Sequence, residues 1–142
     1  MMTMFLISDF KMRNLIHVLL AIAITTGLVG CGSRAPVYNV ERHAMPAKAK
    51  ALSTQEIGQR ICEVLSRREW NCNQTTANTL VCHLKRRTHN AIVQIDYNQD
   101  YFSIHYIDTN NLRYECGTVH AKYNKWIKLM EKDILRSINQ AN

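Results

Sequence analysis

Two runs decide the fold: Ala91-Ile92-Val93-Gln94-Ile95-Asp96-Tyr97 and Tyr101-Phe102-Ser103-Ile104-His105-Tyr106, separated by Asn98-Gln99-Asp100. In the first run Ala91, Val93, Ile95 and Tyr97 alternate with more polar residues; in the second Phe102, Ile104 and Tyr106 do. A period of two marks strands with one buried face, and the Asn and Asp residues between them are turn formers. A slip of one residue would send every side chain to the wrong face. Register is therefore set by pairing Tyr97 with Phe102, Ile95 with Ile104 and Val93 with Tyr106. The turn is then Gln99-Asp100, or a frayed four residues.

The preceding segment predicts a second hairpin. Glu69–Cys72 and Leu80–Lys85 read as short strands, with a polar loop over Asn73–Asn78 and a turn at Arg86-Arg87-Thr88. Placing Trp70 opposite Leu84 puts Cys72 opposite Cys82. Opposed residues of antiparallel strands have Cα atoms roughly 4.5–5.5 Å apart, within disulfide reach.

Helices flank the strands. Ser53-Thr54-Gln55-Glu56 is a capping box, followed by Ile57, Ile61, Val64 and Leu65 at helical spacing, which predicts a helix over about 53–67. Thr118 is the expected cap of a second helix. Its stripe of Val119, Tyr123, Trp126, Ile127, Met130, Ile134 and Ile138 runs to the C-terminus, with Lys122, Lys125, Lys128 and Lys132 on the other side. The pattern predicts an α+β fold of order α-β-β-β-β-α, a four-stranded antiparallel sheet with two flanking helices on one face.

The N-terminal region reads as an address. Lys11 and Arg13 precede an apolar stretch from Leu15 to Val29. That stretch is shorter than the roughly 20 residues of a spanning helix and has the form of a signal peptide. Met1–Phe10, with Asp9, is unlike a signal n-region, and Met12 is an alternative start. Leu28-Val29-Gly30-Cys31 resembles the lipobox of bacterial lipoprotein precursors. The resemblance implies cleavage before Cys31, a diacylglycerol on its sulfur and an acyl chain on its new amino group. It also implies the outer membrane, because Gly32 rather than aspartate follows. The expected organisation is a leader over 1–30, a lipidated N-terminus and flexible tether over 31–52, and a disulfide-braced domain over 53–142. The tether assignment rests on Pro36, Pro46, the run Ala47-Lys48-Ala49-Lys50-Ala51 and the lack of apolar periodicity; such a segment has a reach of about 25 Å.

Five cysteines are present. With Cys31 lipidated, Cys62, Cys72, Cys82 and Cys116 remain. In an exported chain these predict two disulfides, with three connectivities open. The cross-strand argument favours Cys72–Cys82 and leaves Cys62–Cys116. No Cys-x-x-Cys occurs, and the spacing fits no zinc pattern.

His89–Tyr97, Ile104–Asp108, Asn111–Tyr114 and Tyr123–Ile127 are similar to segments of a group of small Gram-negative envelope lipoproteins. This resemblance supports the class and implies no catalytic mechanism.

Chemistry-bearing residues are sparse. His83 and His105 fall on the sheet face opposite the apolar one, with Gln94, Asp96 and Ser103. Ser103 lies mid-strand, without the sharp turn or oxyanion site a nucleophile needs. No third ligand joins the histidines, so no metal is expected, and no glycine loop is present to hold a phosphate cofactor. The net charge of +7 points to anionic envelope polymers or headgroups rather than nucleic acid in an exported chain. Lys85-Arg86-Arg87 at a hairpin tip, with Arg67-Arg68 nearby, could meet phosphate or carboxylate. Val81, Ile92, Tyr101 and Ile107 share the face of His83 and His105. If the helices leave it uncovered, it is an apolar-polar patch suited to a protein partner. The expectation is a non-enzymatic outer-membrane lipoprotein, its domain facing the periplasm, that binds an envelope protein or anionic polymer. The alternative is an inhibitor that blocks an enzyme such as a lysozyme with its basic hairpin.

Overall fold

The computed structural model describes residues 33–141. The leader, the Leu28–Cys31 tetrapeptide and the lipidation site at Cys31 lie outside the described residues. Ser33–Asn142 forms one compact unit. Its elements are β1 (Arg34–Pro36), β2 (Val40–Ala44), a 3-10 turn (Ala47–Ala51), α1 (Thr54–Ser66), β3 (Trp70–Thr76), β4 (Thr79–Arg86), β5 (His89–Tyr97), β6 (Tyr101–Asn110), β7 (Thr118–His120) and α2 (Ala121–Asn139). None of the described helices is long and apolar enough to cross a membrane.

The central hairpin has the expected register. Tyr97 pairs with Phe102, Ile95 with Ile104 and Val93 with Tyr106. Asn98 N–H donates to Tyr101 O at 3.0 Å, closing a two-residue turn. The Asn98 side-chain oxygen accepts from the Asp100 and Tyr101 amides, which holds that turn in shape. A bulge between Ile92 and Val93 then shifts the pairing, so that Ile92 faces Asp108. Trp70 pairs with Leu84 and Cys72 with Cys82, also as expected, and the two sulfurs are bonded. The polar Asn73–Thr76 segment continues β3 instead of looping; the turn is confined to Ala77-Asn78 because Gln74 and Thr76 still find partners on β4.

The sheet has five antiparallel strands, in the order β2-β6-β5-β4-β3, where four were expected. The extra strand comes from the segment assigned to a tether. Val40 is buried and pairs with Ile104, while His43 and Ala44 pair with Phe102 and Tyr101 across a bulge. Arg42 takes a positive φ of 44° at that bulge. Its amide donates to Ser103 Oγ, and its guanidinium stacks over the Tyr101 ring at 3.6 Å. The segment has no alternating pattern of its own. It is a strand because the free backbone groups along β6 template it and because Val40, Met45 and Ala49 bury themselves in the core.

The 36–43 stretch is also pinned to α2. Asn124 accepts from Tyr38 N–H at 3.0 Å and donates to Pro36 O at 2.8 Å. Glu131 takes the Tyr38 hydroxyl on one carboxylate oxygen and His43 Nδ1 on the other. Residues 34–51 are thus part of the fold, not a spacer.

Both helices cover the same face of the sheet. Ile57, Ile61 and Leu65 of α1 and Tyr123, Ile127, Met130, Ile134 and Ile138 of α2 are fully buried with Leu80, Cys82, Val93, Ile95 and Phe102 of the strands. The capping box of α1 is formed: Ser53 Oγ accepts from Glu56 N–H, and Glu56 Oε2 accepts from Ser53 N–H at 2.7 Å. Thr118 does not cap α2. It belongs to β7, which pairs with β1 in a separate two-stranded ribbon, and His120 takes the cap by accepting from Lys122 N–H at 3.1 Å.

The expected Cys62–Cys116 bridge is absent, and among the described residues both are free thiols. Cys62 sits half-buried on α1, its sulfur 4.0 Å from Cys72 O on edge strand β3. Cys116 is exposed in the turn into β7, a turn held to the β1 side by the Val37–Gly117 backbone bond. Cys62 lies on α1 beside β3, while Cys116 lies in the turn into β7 on the β1 side, so the two thiols do not meet.

Candidate binding surfaces

The face of the sheet away from the helices carries most of the candidate residues. Its alternation follows from the register: His83 is opposite Ile92, Val81 opposite Gln94, Gln94 opposite His105, and Asp96 opposite Ser103. Opposed residues point to the same side of a sheet, so these form one surface. Val81, Ile92 and Tyr101 are half-buried, the Tyr101 ring lying under the Arg42 guanidinium, and Ile107 is 45% exposed. The apolar-polar patch expected there is present and open.

Asp96 organises one end of this surface. Its carboxylate accepts from Thr79 Oγ1 at 2.9 Å and from Gln94 Nε2 at 2.9 Å. His105 Nε2 lies 4.0 Å from the same carboxylate, and its Nδ1 lies 3.5 Å from Glu41 Oε1. The imidazole therefore stands between two carboxylates. Glu41 belongs to the strand the sequence did not reveal, so this arrangement was not legible. His83 is exposed on β4, diagonal to His105 across β5, and the two rings do not converge. Among the described residues no group of three or more His, Cys, Asp or Glu side chains could hold a metal ion. Ser103 is 5% exposed, and its hydroxyl accepts from the Arg42 amide. Its place in the sheet gives no access to substrate.

The basic hairpin tip is tighter than a protruding loop. Arg86 pairs with His89, leaving Arg87-Thr88 as a two-residue turn with Arg87 at φ 57°. Arg86 Nε is bound to Glu69 Oε2 at 3.0 Å, and Thr88 O accepts from Asn111 Nδ2. Lys85 and Arg87 are the exposed cations of the tip free of such bonds. Arg86 also lines a small cleft, about 150 Å³, with Arg67, Arg68, Trp70 and Trp126. Arg67 and Arg68 thus lie near Arg86, while Arg87 sits in the turn, outside the cleft's lining.

A second basic feature lies between the helices. Arg68 donates through Nε and Nη2 to Asp133, a carboxylate only 5% exposed, and Arg136 approaches it at 3.7 Å. A cleft of about 510 Å³ opens beside this pair, lined by Arg60, Arg67 and Ser137 among others. Asp133 interrupts the apolar stripe of α2, and that interruption was the one sequence signal for it.

The outer arc of α2 is the third. Lys122, Lys125, Lys128, Lys132 and Arg136 are all exposed. At about 100° per residue they fall on the side of the helix opposite its buried stripe. Lys122 lies over Trp126 at 5.6 Å and Lys128 over Tyr38 at 5.2 Å. The two acids of α2 are engaged elsewhere, Glu131 with Tyr38 and His43, Asp133 with the arginines. The hydrogen bond to Glu131, with burial and the nearby charge, holds the Tyr38 phenol above its ordinary pKa.

Comparison with known proteins returns no matching family model, no matching curated protein and no matching solved structure, so the chain stands on its own geometry.

Proposed function

We propose that this chain is a lipid-anchored, non-enzymatic module of a Gram-negative envelope, held in the outer membrane through Cys31, that binds an envelope protein with the open face of its sheet. The observation that carries the binding role is the surface of Val81, Ile92 and Ile107, continued by the Arg42-capped Tyr101 ring and rimmed by His83, His105 and Asp96. It has the composition of a protein interface, with an apolar centre and a polar rim. Because that face mixes Glu41, Asp96 and Asp108 with Arg42 and Lys85, it suits a protein better than an anionic polymer. The anchor rests on the lipobox and on the leader that precedes it.

The test places a photo-crosslinking residue at Ile92 or Ile107 in cells that make the full chain. One defined adduct from these positions, absent from a position on the helix side such as Lys132, is the expected result. Adducts of equal yield from both sides would overturn the interface. Metabolic labelling with a fatty acid tests the anchor separately: incorporation is expected in the native chain and not in Cys31→Ser.

The inhibitor reading is the second choice. It draws on Lys85 and Arg87 at the hairpin tip. The two-residue turn and the Arg86–Glu69 pair leave little chain there to enter a catalytic cleft.

A further inference from the structure

We propose that the outer arc of α2 is a seat for an anionic membrane surface, so that the domain lies with its helix layer on the phosphate-bearing headgroups and its sheet face turned away from them. Three observations converge. Lys122, Lys125, Lys128 and Lys132 form a continuous exposed row, and among the described ion pairs none involves any of them. The row is floored by apolar surface: Ala35, Ala121 and Leu129 line one shallow depression together with Lys125, Lys128 and Lys132. Lysine stems can lie on such a floor while their ammonium groups reach outward.

The third observation is where the chain enters. Ser33 O accepts from Ala121 N–H at the start of α2, and Arg34 pairs with His120. Only Gly32 and Ser33 separate Cys31 from β1. Extended chain covers at most about 3.3–3.6 Å per residue, so an anchor at Cys31 keeps the Lys122 end of the row close to the bilayer. This placement rests on the lipid-anchor reading above; the charge arrangement does not. Charges close to an anionic surface act within a Debye length, about 8 Å at physiological salt; the connection brings the Lys122 end near that range, and Lys125, Lys128 and Lys132 reach it when α2 lies along the surface. The opposite side of the domain carries Glu41, Asp96 and Asp108 beside Arg42 and Lys85, a mixed set with no row of cations like that on α2.

The experiment uses the full-length Cys31→Ser chain, which cannot be lipidated, so that failure of the anchor and failure of the surface are read apart. Flotation is measured with vesicles of phosphatidylcholine alone and of phosphatidylcholine mixed with phosphatidylglycerol. Two charge-matched variants are compared, Lys125→Glu with Lys128→Glu on the helix, and Lys85→Glu with Arg87→Glu at the hairpin tip. All four side chains are exposed, and a thermal scan confirms that both variants fold. Each surface lysine near an anionic bilayer contributes roughly fivefold in affinity, so the helix variant is expected to lose about 25-fold or more on the anionic vesicles. The tip variant is expected to lose little. Equal losses would reduce the effect to net charge and overturn the seat; no loss in either would do the same. Displacement by inorganic phosphate beyond that by chloride of equal ionic strength would point to a free-anion site instead, and would also overturn it.

Discussion

Cys72 and Cys82 face each other across β3 and β4 with Cα atoms 4.0 Å apart and a disulfide between them. The bridge closes a loop with a sequence separation of 10 on an edge hairpin whose outer strand buries little besides Trp70. Chain entropy gives a loop of this size about 2–3 kcal/mol of stabilisation. Unfolding in denaturant with and without a thiol reductant should show that loss as a lower midpoint.

The two remaining thiols should behave differently. Burial pushes the Cys62 thiol up, while Cys116 is exposed. In the native Cys31→Ser chain, a chromogenic disulfide reagent should titrate two thiols, Cys116 fast and Cys62 slowly. A count of zero would restore the Cys62–Cys116 bridge.

Gly58 lets α1 approach the sheet. A Cβ at this position would collide with the Tyr97 hydroxyl and ring. Replacing a helical glycine by alanine ordinarily gains about 1 kcal/mol; here Gly58→Ala should lower the melting temperature instead. The Tyr97 hydroxyl is buried and has no hydrogen-bond partner among the described residues. Tyr97→Phe should therefore cost nothing, or stabilise by up to about 1 kcal/mol, and should recover part of the Gly58→Ala loss in the double variant.

Asp133 needs Arg68. Removing the guanidinium by Arg68→Ala strands a carboxylate that is 5% exposed, with Arg136 at 3.7 Å as its remaining cation. Because Arg68 is itself partly exposed, the expected loss is about 2 kcal/mol, below that of a fully buried pair. The double variant Arg68→Met, Asp133→Leu should regain most of it by equilibrium unfolding.

The capping box of α1 predicts a pH limb. Backbone and hydroxyl hydrogen bonds from Ser53 hold Glu56 below its ordinary pKa of 4.5. The folded state therefore binds this proton less readily than the unfolded state. The contribution is complete above the ordinary value and is lost as pH falls through the lowered one. Glu56→Gln should flatten that acid limb of the stability curve and leave the neutral region nearly unchanged in shape.

Legibility tracked how local the specification was. The central hairpin could be read because Val93, Ile95, Tyr97, Phe102, Ile104 and Tyr106 fix both periodicity and register. Ser53 and Glu56 fixed the start of α1 by chemistry within one turn. Trp70 and Leu84 fixed the first hairpin, and the disulfide followed from it. Val40–Ala44 could not be read, because what makes it a strand is the edge of β6, far along the chain. The same is true of the three-residue pairing that drew Thr118 out of the second helix. Cys62 and Cys116 were matched by counting, and counting carries no geometry. On the candidate surfaces, the open sheet face and the lysine row followed from alternation and helical spacing. Glu41 beside His105, and Arg68 on Asp133, depended on which segments meet.

The strapping of residues 33–43 has a mechanical consequence. Any pull on the chain ahead of Ser33 meets the fold in sequence: first the Ser33–Ala121 bond, then the rungs of β1 on β7, then the bracket of Asn124 around Val37, and last the Tyr38 and His43 grips on Glu131. These holds load β7 and α2, and all but the His43 grip are met before the first rung of β2 on β6, at Val40. Tension on the N-terminal side would be taken up by the helix layer first, and the sheet face proposed to bind a partner would be the last to feel the strain.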